Sequence, residues 1–334
     1  MSIPKTPHHC KLERQFVSEF GIYTCALASF FAKHTPEFAY FLAQHLKTAD
    51  FVFLSHPYLV YELEQTDCHK AVIICDAHNV EFDLHQLILP AQANYLLTDI
   101  FQTEKTACQK ARLITVCSQQ DADRLAALYT LTPNKFQIVP NGADIRAIPF
   151  WDRNERQQHK ILQNITVPAA LFIGSDFPPN LEAVNNIVKF AKALPKVRFR
   201  IAGSICNKFS GHRLPANIDM LGIVSEQQKL SLFSAADLAL NPIAYGSGTN
   251  IKMFEYMAAG LPIVTTPIGA RGIDGADGIH FLVCSLEAIP DKINALLGDP
   301  AAADRISAQA YELIKHRFDW RQIAERLAAI LNRW

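Results

Sequence analysis

The densest chemistry in the chain lies in residues 241–266, NPIAYGSGTNIKMFEYMAAGLPIVTT. The pattern predicts strand, glycine-rich loop, helix, short turn and strand. Gly246 and Gly248 let the backbone approach a ligand closely or adopt positive φ. Thr249 suits the N-cap of the helix that follows. A helix N-terminus behind glycines offers free N–H groups and positive potential, a setting for a diphosphate. Lys252 falls in the first turn, where the helix dipole disfavours a cation. An anionic ligand would offset that cost. Glu255 lies three residues on and shares a face with Lys252. Its carboxylate is placed to accept hydrogen bonds from a ribose diol. The competing reading is an ordinary glycine-rich turn before a helix, which many α/β proteins contain.

Other positions add to this one. His78, in ICDAHNVEF, follows a buried strand. Ligands of α/β sheets bind at such carboxyl ends. The alternative is a histidine packed against its own loop. Asn79 and Glu81 follow it and are candidates for contact with an acceptor. Glu81 could act as a general base only if it reached the reacting hydroxyl. Asn141 and Gly142, in PNGAD, stand at a break in the pattern, where a plain Pro-Asn-Gly turn is the alternative. Arg271, in GARGI, is either a second cation for a diphosphate or a solvated loop charge.

These residues need elements to hold them. In the first half, 51–54, 71–75, 113–117 and 136–139 read as buried strands, and 37–48, 99–111 and 119–129 as helices. In the second half, strands are expected at 169–174, 197–203, 218–224, 237–241 and 262–266. Helices are expected at 180–194, 226–236 and 250–259, and the tail from 299 reads as helical. Strand–helix alternation implies parallel sheets covered by helices, one set in each half. Periodicity fails and charge rises between 141 and 168, which suggests a domain boundary there.

The 334 residues are enough for roughly two domains with full cores. Charged residues are 19 % and hydrophobic ones 49 %, which excludes wholesale disorder. Thirty-two basic side chains balance thirty-two acidic ones, so no basic excess points to nucleic acid. The eight cysteines, Cys68 among them, show no CxxC spacing. They read as free thiols of a reducing cytosol. The first residues lack a signal-peptide pattern. The apolar stretch 22–32 is too short for a span of about 20 residues. A peripheral membrane contact stays open.

With these residues in view, 241–266 resembles the donor-site segment of retaining glycosyltransferases of the GT-B fold, family 4 type. FIGSDFPPNLEAV (172–184) resembles the first strand, loop and helix of their C-terminal domain, and VRFRIAGS (197–204) the next strand. IDMLGIVSEQQKLSLFSAADLALNPI (218–243) resembles the segment that contacts the nucleobase. KARLITVCSQQDADRL and KFQIVPNGAD (110–144) resemble the end of the N-terminal domain, and 318–331 the helix that crosses back to it. The resemblance implies an α/β protein with two Rossmann-like domains, their parallel sheets facing a central cleft. Residues 1–150, joined by 318–334, would form a shortened acceptor-side domain, and 151–317 the donor domain. The implied activity is transfer of a sugar, with retention, from a nucleoside-diphosphate sugar to a glycan or lipid-linked acceptor. The implied place is the cytoplasm, with the inner membrane face as an option. No metal or cofactor is implied.

Carried over by residue, the resemblance gives Glu255 the donor ribose and gives His78 the transferred sugar. Lys252 and Arg271 become the diphosphate cations. Gly174, Ser175, Gly248, Thr249 and Asn250 would line the donor site, and Gly222, Ile223 and Val224 would border the base through their backbone. Three departures stand out. Ser247 replaces the first glutamate of the family's paired-glutamate pattern. The loop 174–180 has no basic residue. No glycine pair follows a first strand ahead of residue 51. The alternatives are a non-catalytic sugar-nucleotide-binding partner subunit and, third, a sugar-nucleotide epimerase.

Overall fold

The computed structural model describes residues 2–64, 66 and 70–333. Cys68 lies outside the described residues. By packing, the chain divides into two units, Met1–Val139 and Pro140–Trp334. Residues 140–150 and the terminal helix therefore count with the second unit.

The first unit begins with helices α1 (Pro7–Phe20), α2 (Leu27–Phe30) and α3 (Glu37–Leu46). Then come β1 (Phe51–Leu54), α4 (Val60–Glu64), β2 (Val72–Ala77), α5 (Glu81–Ile88) and α6 (Tyr95–Lys110). It ends with β3 (Leu113–Val116), α7 (Gln119–Tyr129) and β4 (Phe136–Ile138). The four strands form one parallel sheet in the order β1-β2-β3-β4. Ile74 pairs with Leu113 and Phe51 with Val72. β3 is buried along its whole length, as its unbroken apolar run requires. No strand precedes β1 among the described residues, so helices stand where a first strand and glycine loop would open the domain.

The second unit runs α8 (Arg153–Leu162), β5 (Ala169–Ile173), α9 (Pro178–Ala193), β6 (Arg198–Ala202), β7 (Ile218–Met220) and α10 (Glu226–Ala235). β8 (Leu238–Asn241), α11 (Ile251–Ala258), β9 (Ile263–Thr265) and β10 (Leu282–Val283) follow. The end is helical: α12 (Ile289–Gly298), α13 (Pro300–Leu313), a π turn at Ile314–Phe318 and α14 (Trp320–Leu331). Its parallel sheet has the order β10-β9-β8-β5-β6-β7. The order reverses between β5 and β8, which makes a topological switch point at their carboxyl ends. Strand residues alternate between faces. Phe172, Phe199, Ile201 and Leu240 enter one core with α9 and α12, while Leu171, Ala202, Ala239 and Ile263 enter the other with α11.

Six helices depart from the sequence expectation. The pattern assigns no helix to α1, α2, α4, α5 or α12. α8 corrects the reading of 141–168 as a stretch without a helical pattern. Asp152 and Glu155 close a capping box there, and the buried face is made by Arg156 and Lys160 rather than by apolar side chains. Arg156 donates to the carbonyls of Phe233 and Ala259, and Lys160 pairs with Asp237 at 2.6 Å. The strand expected over 218–224 is three residues long, because Gly222 turns the chain at φ 70°.

Candidate functional site: two clusters at strand ends

In the second unit the site residues gather at the carboxyl ends of β5, β6, β7 and β8. Three glycines set their spacing. Gly174 donates its N–H to the Ala202 carbonyl at 2.9 Å, and Gly203 donates to Gly222 at 2.7 Å. A Cβ on Gly203 would strike the Gly174 carbonyl. The loops after three neighbouring strands are thus drawn together by backbone alone. Ser175 holds the turn into α9, since its carbonyl accepts from Asn180 Nδ2 at 3.0 Å. Ile223, after Gly222, is 75 % exposed.

α11 starts one residue later than its sequence suggests. Asn250 is its N-cap and makes no capping hydrogen bond through its side chain. Thr249, expected to cap the helix, instead accepts from Asn141 Nδ2 at 2.6 Å. Asn250 donates to the Gly269 carbonyl at 3.2 Å. The first N–H groups of α11 therefore lack a side-chain cap, behind Gly246 and Gly248, both at positive φ. Ser247 Oγ, buried in that loop, has no hydrogen-bond partner. Arg271 Nη1 reaches the Gly248 carbonyl at 3.4 Å, so this cation stands at the same loop.

Lys252 is the unusual group. Its ammonium donates to Asn180 Oδ1 at 2.8 Å and sits 4.1 Å above the Phe172 ring. No carboxylate pairs with it among the described residues. Burial pushes its pKa down to about 7. A half-buried cation beside a helix N-terminus, with no counter-charge, is a stored electrostatic cost that an anion would relieve. One turn on, Glu255 Oε1 meets Lys229 Nζ at 2.8 Å. Sequence reading missed Lys229, because only the fold brings α10 beside α11. Tyr256, next in the helix, accepts the Ile173 N–H at 2.8 Å and ties α11 to the end of β5.

Gly142 has a packing explanation. A Cβ there would strike the Phe318 carbonyl, to which Ala143 donates at 2.9 Å.

The first unit carries a second cluster at the ends of β1 and β2. His78 is exposed, and its Nε2 lies 3.0 Å from Asp76 Oδ2. Thr115 holds the other oxygen of Asp76 at 2.6 Å. The Asp76 hydrogen bond raises the His78 pKa, with burial opposing it. For Asp76, burial works upward, yet hydrogen bonds from His78 and Thr115 hold its pKa below the usual range. Asn79 is half-buried beside His78.

Glu81 lies 4 % exposed. Tyr58 donates to one of its oxygens, and His56 Nδ1 stands 3.3 Å from the other. Its carboxylate is a fixed part of an internal network, and as placed it offers no open face to a hydroxyl. Glu104, from α6, accepts the N–H groups of Glu81 at 2.7 Å and Phe82 at 3.0 Å. It caps the start of α5 from another helix. Burial lifts its pKa to about 7, against the hydrogen bonds from Tyr129 and these two amides. His56 and Tyr58 follow β1 while Glu104 and Tyr129 lie on α6 and α7, and no local signal links them. His56 brings a second imidazole to this edge, 4.9 Å from the His78 ring.

The comparisons with known proteins fit this arrangement. Residues 183–329 match the family described as glycosyl transferase-like. Glycogen synthase of Mycobacterium tuberculosis is 25 % identical over 252 residues, covering 70 % of this chain and 57 % of that protein. The chain thus spans less than two thirds of the length of that curated relative. Among solved structures, sucrose-phosphate synthase from Thermosynechococcus elongatus superposes with a TM-score of 0.75 at 17 % identity, covering 90 % of this chain and 78 % of that one. Anabaena HepE in complex with UDP and glucose superposes with a TM-score of 0.74 at 13 % identity, covering 100 % and 98 %. The two parallel sheets and these superpositions show a fold of the GT-B type, and residues 183–329, with α11 among them, are similar to the glycosyl transferase-like family.

Proposed function

We propose that the chain transfers a sugar from a nucleoside-diphosphate sugar to a glycan or lipid-linked acceptor, with retention of configuration. The observation that carries this is Lys252, a half-buried ammonium without a carboxylate partner among the described residues, at a glycine-lined helix N-terminus. The α11 N-terminus, Lys252 and Arg271 form a set that would stabilise a departing diphosphate. In this reading they do so without a metal. Glu255 holds the ribose, and Gly222, Ile223 and Val224 border the base. Ser247 Oγ, buried without a partner, is free to donate to a phosphate or sugar oxygen. On the other unit, His78 serves the transferred sugar. The Asp76 carboxylate, 3.0 Å from His78 Nε2, helps to fix the ring. Retention fits a front-face displacement in which the leaving diphosphate takes the acceptor proton.

The test is calorimetric titration with UDP, GDP and ADP, followed by turnover of the matching sugar donor. Binding of one nucleotide, with sugar release that falls about a hundredfold in His78→Ala, is the expected result. Binding without turnover would favour the partner-subunit reading. No binding of any of the three would end the proposal.

A further inference from the structure

We infer that Lys229, from α10, is the positioning residue for Glu255 and thereby sets how strongly the site depends on a ribose diol. This rests on the donor-site reading above and goes one residue beyond it. Lys229 Nζ lies 2.8 Å from Glu255 Oε1 and 2.8 Å from Glu226 Oε2. Its side chain is 15 % exposed, while that of Glu226 is 83 % exposed. The ammonium therefore sits inside, anchored on one flank by a solvated carboxylate and on the other by the site carboxylate.

Three physical consequences follow. The ion pair fixes the Glu255 side chain, which otherwise has free rotation about its own bonds. It occupies Oε1 and leaves Oε2 without a protein partner among the described residues. One fixed acceptor oxygen is what a vicinal diol needs to donate to. Lys229 also neutralises Glu255. Without it, a carboxylate one turn from the diphosphate site would repel the ligand's charge. Two of the three ammonium hydrogens are spent on carboxylates, which leaves a third for a ribose or base oxygen.

The experiment uses the full chain and whichever of UDP, GDP and ADP binds tightest, beside its 2′,3′-dideoxy form. Wild type is expected to prefer the ribose form. Lys229→Met should weaken the ribose form about tenfold and the dideoxy form less, through the diphosphate's charge alone, so that the preference for ribose falls. Lys229→Arg should restore most of it. In the double variant with Glu255→Gln, the two losses should fall short of their sum, as expected for one coupled unit. Equal weakening of both forms by Lys229→Met, or no weakening of either, would overturn the positioning role. An unchanged ribose preference in Glu255→Gln would instead show that Glu255 does not hold the ribose, and the inference would fall with that reading. A melting curve of each variant separates misfolding from altered binding.

Discussion

At the scale of single residues, charge and burial disagree most at Lys252. Its pKa of about 7 means that above pH 7 the free site holds a neutral amine. A diphosphate stabilises the ammonium, so binding above pH 7 must take up a proton. Nucleotide affinity should then fall as pH rises from 7 to 9, by up to about tenfold per unit. Lys252→Gln should lose about 10- to 100-fold in affinity at pH 6.5, and its affinity should be flat from 7 to 9. Titrations across that range check both, and an equal slope in the variant would remove Lys252 from diphosphate binding. Most of this site was legible because it is contiguous. Ser247, Gly248, Lys252 and Glu255 lie within nine residues of one loop and helix. Lys229 was not legible, because its partner is on another helix, 26 positions away.

At the scale of elements, α5 shows how one side chain can set a helix. Its N-cap position, Val80, has no polar side chain to offer, and Glu104 of α6 supplies the missing acceptors. Glu104→Ala would leave the buried Glu81 N–H, the part-buried Phe82 N–H and the Tyr129 hydroxyl without their partner. The expected cost is about 3 kcal/mol, read as a lower urea midpoint at unchanged slope. An unchanged midpoint would mean water replaces the carboxylate at no cost. The same helix shows why sequence reading failed here. A helix capped from a distance carries no start signal of its own. In α8 the buried face is arginine and lysine, so the apolar periodicity that reveals α9 is absent. The strands were easier. Parallel strands buried on both faces are runs of apolar residues, and β3 and β5 read that way directly.

At the scale of the whole molecule, each unit has its own sheet and its own core. Cores that share few side chains unfold separately. Scanning calorimetry should therefore show two transitions. A nucleotide that binds at α11 should move only the transition of Pro140–Trp334, with a shift that grows with the logarithm of ligand concentration. A single transition that moves as one would show that the units unfold as one. Among the described residues no helix is long and apolar enough to cross a membrane.

The unpaired ammonium at 252 also bears on how this protein could be engineered. Its folded pKa lies below its unfolded one, so folding is penalised in full below about pH 7, and the penalty falls steadily as pH rises from there toward the lysine's ordinary value. A methionine there would remove the penalty and pack against Phe172. A library sorted for heat resistance alone would collect that change early, and on the proposed donor-site reading each robust winner would have traded its grip on phosphate for a higher melting point.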